Sequence, residues 1–265
     1  MPVGVLASYE CRAVEIDGVT RDVFTKGQGP GVIVMAEIPG ITPKVIEFAD
    51  RVVALGCTVW LPRLFGEAGR EMTAAYTVRS IVPACVSREF SAFATGRTTP
   101  VALWLRELAR RCHAECGGPG VGAVGMCFTG GFALGMMVDR SVIAPVMSQP
   151  SVPIGVTRRQ RRDLGISPAD LAVVKERTVA DGVCVLALRF SHDPMAPAER
   201  FETLRRELGD AFIGVEIDSS RGNPYGHPLI AHSVLTEHLI DEPGQPTHDA
   251  LHQVLDFLGD RLLPS

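Results

Sequence analysis

No stretch of this chain is apolar for long enough to cross a bilayer. The opening residues Met1-Pro2-Val3-Gly4-Val5-Leu6-Ala7 lack the basic region that begins a secretory signal. No Gly-x-Gly-x-x-Gly turn and no phosphate-binding P-loop is expected, so a nucleotide cofactor has no support. Internal repeats and low-complexity linkers are also missing, and residues 1–265 are expected to form one domain. Charge is nearly balanced: 26 basic residues against 30 acidic ones leave a net charge of −4. That gives no reason to expect a nucleic-acid partner.

The cysteines exclude other classes. There are seven (positions 11, 57, 85, 112, 116, 127 and 184), odd in number, scattered, and several lie inside apolar strand-like runs. Reduced thiols in a cytoplasmic protein are the expectation. Cys112-His113-x-x-Cys116 has the look of half a zinc cluster, but the other half is missing. His248 and His252 stand four apart on the last helix without a third ligand, so a solvated helix face is expected. No metal and no cofactor is expected.

What is there is an alternation. Hydrophobic residues make up 46% of the chain, enough for a large core. Gly31 to Ala36 is a buried strand and Pro43 to Leu55 an amphipathic helix. Cys57 to Leu61 is a strand, Val101 to Cys116 a long helix, and Val121 to Met126 and Ser141 to Met147 are strands. Pro168 to Val179 and Ala196 to Leu208 read as helices, Val183 to Phe190 and Phe212 to Ile217 as strands, and Asp249 to Leu262 as a closing helix. Wholly apolar strands alternating with helices imply a mostly parallel central sheet covered on both faces. Two stretches, 66–96 and 149–167, break the alternation and are expected to be lid or rim insertions. The second carries Arg158-Arg159-Gln160-Arg161-Arg162, read as a solvated face rather than an anion site.

Gly125-Met126-Cys127-Phe128-Thr129-Gly130-Gly131 stands between a strand and a helix. Small neighbours let such a turn hold its tip residue in the open, and the tip here is cysteine, a strong nucleophile. A helix starting at Phe128 aims free N–H groups and the positive end of its dipole at that sulfur. The competing reading, a small buried core residue, fits a position inside an element better than one at a bend.

Reactive groups in parallel sheets collect at the carboxyl ends of strands. Asp193 lies just past the 183–190 strand, and a Gly- and Pro-rich loop after the 212–217 strand leads to His227 and His232. Nucleophile, acid and histidine thus follow the chain order of one hydrolase architecture. Histidine can take the thiol proton and return one to the leaving group, and a carboxylate behind it fixes the ring. Asp218 is an alternative acid, and Asp193 alone could be a turn residue before Pro194. Glu37 ends an apolar strand, where a carboxylate costs desolvation unless bonded or functional.

Together these residues resemble the dienelactone hydrolase family, a cysteine-dependent branch of the α/β-hydrolase fold. The Gly-x-Cys turn and the Ala36-Glu37-Ile38 segment carry the resemblance. It implies Cys127 as nucleophile, Asp193 as orienting acid, and Glu37 as the carboxylate that contacts the resting thiol and is displaced when substrate binds. Backbone N–H groups of Phe128 and Ile38 would form the oxyanion hole. Ala231-His232-Ser233-Val234 resembles the family's histidine segment, which favours His232, with His227 in reserve. Thr129 departs from the usual glycine, and the separation of Cys127 from Asp193 is longer than in the family. Arg79 and Arg88 lie in a suitable region for substrate contact but in no motif. The implied activity is opening of a small-molecule lactone or activated ester through an acyl-enzyme. Alternatives are a ring-forming or isomerising enzyme and a non-catalytic small-molecule binder on the same fold.

Overall fold

The computed structural model describes residues 4–264; Met1 to Val3 and Ser265, the ends of the expected 1–265 domain, lie outside the described residues. Two strands come first, β1 (Glu10–Ile16) and β2 (Val19–Lys26), then β3 (Gly31–Met35) and α1 (Pro43–Ala54). Next are β4 (Thr58–Pro62), α2 (Ala74–Val86) and α3 (Pro100–Cys116). Strand β5 (Val121–Met126) enters a 3-10 turn at Cys127–Thr129 and then α4 (Gly130–Met136). The chain continues through β6 (Val142–Ser148), α5 (Arg158–Arg162), α6 (Pro168–Ala180), β7 (Val185–Phe190) and α7 (Ala198–Leu208). It closes with β8 (Phe212–Ile217) and α8 (Pro246–Leu262).

The eight strands form one sheet in the order β1-β2-β4-β3-β5-β6-β7-β8. From β4 to β8 every pairing is parallel, while β1 and β2 add an antiparallel edge. This is the mostly parallel sheet expected from the alternation and the α/β-hydrolase fold that the family resemblance implies. Successive residues of β3 serve opposite cores. Ile33 and Met35 pack with residues of α3, α4, α6 and α7, and Val32 and Val34 pack with those of α1 and α8. Each fully buried Leu or Phe in these layers contributes about 1.5–3 kcal/mol of transfer free energy. Helix starts are written in the sequence. Thr42, Thr99 and Ser167 each cap a helix by accepting a backbone N–H, and each is followed by a proline at the first helical position. Among the described residues no helix is long and apolar enough to cross a membrane.

Three details differ from the sequence reading. The β1–β2 hairpin was not expected; Asp17 and Gly18 turn it with φ of +51° and +77°, the left-handed pair that tight hairpins favour. The 66–96 stretch contains the helix α2, started by Thr73 accepting from the Tyr76 N–H. Helix α4 begins at Gly130 rather than Phe128, because a 3-10 turn intervenes. The sequence Gly120-Val121-Gly122-Ala123-Val124-Gly125 has glycines at dinucleotide-binding spacing, but from Val121 it is the strand β5 itself, not a turn.

Candidate active site

The carboxyl ends of β3, β5, β6 and β7 and the loop after β8 converge on a cavity of about 480 Å³ whose wall includes Glu37, Cys127, Ser151 and His232. Cys127 sits at the tip of the β5 turn with φ of +53°, a strained position costing about 1–3 kcal/mol for a residue with a Cβ. Contrary to the expectation of an open tip it is buried, at 7% exposure, because Phe128 and the neighbouring core pack around it, and it faces the cavity. Two glycines make the bend sterically feasible. A Cβ on Gly125 would lie 2.3 Å from the Thr129 carbonyl oxygen, and one on Gly130 would lie 2.7 Å from the Cα of Pro150. Thr129 is fully buried. Its hydroxyl shares its proton between the carbonyls of Met35 (2.8 Å) and Met126 (3.0 Å) and accepts the Met126 N–H at 2.9 Å. The departure from glycine thus ties the turn to the neighbouring strand β3. From the other side, the Ser151 N–H donates to the Cys127 carbonyl at 2.9 Å.

His232 is the histidine that reaches the acid. Its Nδ1 lies 2.6 Å from Asp193 Oδ2, and Asp193 Oδ1 accepts the Met195 N–H at 2.9 Å. The other ring nitrogen, Nε2, is buried without a hydrogen-bond partner. Burial opposes a charge on this imidazole, yet the facing Cys127 and the bond to Asp193 outweigh it, and the pKa is held well above the ordinary histidine value. His227 is elsewhere: it packs against Phe190, ring centroids 5.0 Å apart, and burial lowers its pKa. Asp218 accepts the Ser220 N–H at 2.8 Å and caps its own turn.

Glu37 is nearly inaccessible, at 1% exposure, and is fully engaged. Ser233 Oγ donates to its Oε2 at 2.6 Å, Thr236 Oγ1 donates to its Oε1, and Gln149 Nε2 lies 3.5 Å from Oε2. One donor atom each from Glu37, Cys127 and His232 all lie within 4.8 Å of one another. That is also a donor set zinc accepts. Phe128 and Ile38 line the same cavity.

Several contributors escaped the sequence reading. Gln149 follows β6 directly, so the strand-end rule could have flagged it. Its Oε1 accepts from Ser148 and from the Val234 N–H at 3.3 Å. His238 stands with Nδ1 3.2 Å from the Ser233 N and 3.4 Å from the His232 N. Burial, then the neighbouring His232 and His227, lower its pKa, which favours the neutral ring that can accept those N–H groups. Far from the cavity, Asp241 supplies the third group that His248 and His252 lacked, all three within 4.8 Å. Asp241 is also paired with Arg51 at 2.7 Å.

The sequence profile of the Dienelactone hydrolase family matches residues 19–261. No curated protein matches the chain. Among solved structures, a dienelactone hydrolase from Anabaena variabilis superposes with a TM-score of 0.61 at 17% identity, covering 96% of this chain and 98% of that one. A putative dienelactone hydrolase from Klebsiella pneumoniae gives 0.59 at 15% identity, covering 94% and 97%. A dienelactone hydrolase-like promiscuous phosphotriesterase from metagenomic libraries gives 0.59 at 17% identity, covering 97% and 100%. At these identities the likeness is one of fold.

Proposed function

Because this chain belongs to the dienelactone hydrolase family, which supports a hydrolase role, we propose that it opens small lactones or activated esters through an acyl-enzyme on Cys127. The observation that carries this reading is His232, bonded through Nδ1 to Asp193 at 2.6 Å and presenting an unpartnered Nε2 within the cavity that Cys127 lines. In the proposed reaction Nε2 takes the thiol proton and the sulfur attacks the carbonyl carbon. The tetrahedral oxyanion is received by the N–H groups of Phe128 and Ile38, each such donor lowering the barrier by about 3 kcal/mol. His232 then protonates the departing alkoxide. In the second half it deprotonates water, which attacks the thioester, releases the acid and restores the thiol. For a lactone, acid and alcohol leave as one molecule.

Glu37 in this reading is the carboxylate toward which the resting thiol turns. Its bonds to Ser233 and Thr236 couple it to the loop that delivers His232. The 66–96 and 149–167 stretches act as the rim: Met72, Thr77 and Ile81 come from the first, and Val152, Ile154 and Val156 from the second. We place the enzyme in the cytoplasm, where a reducing pool keeps a nucleophilic thiol available; seven free cysteines support this.

Hydrolysis of 4-nitrophenyl butyrate by the wild type, by Cys127→Ala and by iodoacetamide-treated enzyme tests the reading. The expected loss in kcat/KM is about a thousandfold or more in both altered forms. Undiminished hydrolysis after complete modification of Cys127 would remove the mechanism.

A further inference from the structure

The cavity that surrounds Cys127 has a charge character that its fold does not dictate. Its walls are largely apolar, with Met72, Ile81, Phe128, Val152, Ile154 and Met195 facing the space. Among the described residues no lysine or arginine lines it; the charged side chains there besides the histidines are Glu37 and Glu237. The arginines in suitable sequence positions point elsewhere. Arg79 lines a separate hollow with Phe65 and Tyr76, and Arg88 and Arg97 line another. In the 158–162 cluster Arg161 is held by Glu199 at 2.7 and 3.0 Å, and none of its arginines borders the cavity.

From this we infer that the enzyme takes uncharged substrates with an apolar acyl portion and rejects those whose acyl chain carries a carboxylate. The inference rests on the hydrolase reading given above. An anionic group entering this space would meet two carboxylates and no lysine or arginine. The one imidazole whose pKa is raised, His232, is already engaged by Asp193 and faces Cys127, so the anion would lose its hydration without a free partner. Glu37 is held in place as an acceptor by Ser233 and Thr236 and would repel it. Glu237 shows the same field from the protein's side: burial, then the charge of Glu37, raises its pKa. Lys44 opposes that shift but is itself bonded to Glu47 at 3.1 Å, and Glu71 and Glu47 add to the negative field. Glu237, an exposed residue of the cavity wall, is therefore a specificity residue that takes no part in bond making.

The test pairs two esters of equal chain length, 4-nitrophenyl hexanoate and the 4-nitrophenyl monoester of adipic acid, which differ in a terminal carboxylate. The wild type is expected to favour the neutral ester by about a hundredfold or more in kcat/KM, the size of a like-charge penalty against a buried carboxylate such as Glu37, with the exposed Glu237 adding to it. Glu237→Lys should shrink that ratio at least about tenfold, mainly through KM for the anionic ester. A merely structural loss would lower both esters together and leave the ratio unmoved. Binding is read independently of turnover as protection of Cys127 from iodoacetamide, with hexanamide against the monoamide of adipic acid. Equal protection by the two amides, or equal kcat/KM for the two esters, overturns the charge selection. Selective protection without hydrolysis of either ester would instead overturn the hydrolase reading and leave the selection standing.

Discussion

Cys127 is turned toward the cavity, not out into solvent, by steric pressure from its neighbours. With Gly125 and Gly130 both closed to a Cβ, the chain can pass from strand to helix only through a tight bend, and the residue at the bend takes φ of +53°. That much was legible locally, because glycines on either side of a cysteine between two apolar runs leave little else to build. The choice between His232 and His227 was not, since both lie in one loop and only tertiary packing turns one toward Asp193 and the other onto Phe190. The bond to Asp193 has a measurable signature in stability. A histidine whose folded pKa exceeds its unfolded value of 6.5 stabilises the fold at pH below that value and loses the contribution as pH rises through the folded pKa. Asp193→Asn removes one cause of the elevation. The variant should therefore fall furthest below the wild type in Tm at pH below 6.5, with the gap narrowing as the pH rises through the folded pKa. A gap that widens with pH would mean Asp193 does not favour the imidazolium. The same substitution should lower kcat by about a hundredfold to ten-thousandfold, since the imidazole loses its orienting acceptor.

At the scale of elements, the parallel strands and their helices could be read because an apolar run of five or six residues followed by an amphipathic helix has few other folds. The β1–β2 edge was missed because its strands are half exposed, with burial only at positions such as Val14, Ile16, Val23 and Phe24. Its one local signal was Asp17-Gly18. The 149–167 rim shows how an irregular stretch is fixed without a strand of its own. Arg200, on α7 and 1% exposed, donates to the carbonyls of Pro150, Pro153, Gln160 and Asp163 at 2.5–3.0 Å. Burial brings its pKa down to about 10, so the guanidinium stays charged at neutral pH while holding four carbonyls that face no other donor side chain in these bonds. Arg200→Met should cost about 3 kcal/mol or more of stability, because buried carbonyls then lose their donor. It should also raise KM more than it lowers kcat, because Val152, Ile154 and Val156 on that rim face the substrate space. A urea midpoint and KM both equal to the wild type would show that the rim is fixed by other contacts.

Across the whole molecule, the sheet acts as an instrument of convergence. Strands β3, β5, β6 and β7 run in one direction, so residues as distant in sequence as Glu37, Cys127, Gln149 and Asp193 end on one edge. The long loop after β8 then brings His232, Ser233 and Thr236 over that edge, where Glu37 and Asp193 bind them. Proximity arranged this way converts an encounter of separate groups into a preset constellation. The strand-end rule made Cys127, Asp193 and Glu37 visible from sequence. Their ties to Gln149, Ser233, Thr236 and His238 were not, since those bonds depend on how the β8–α8 loop folds back.

The most direct measurement of the central claim is intact-protein and peptide mass spectrometry of enzyme acid-quenched during turnover of 4-nitrophenyl hexanoate. The account predicts a single hexanoyl group on the peptide bearing Cys127, formed in the wild type, absent in Cys127→Ala, and in a His232→Ala variant formed more slowly but, once formed, persisting longer because water is not activated. An acyl group found on another residue, or turnover undiminished in Cys127→Ala, would contradict it.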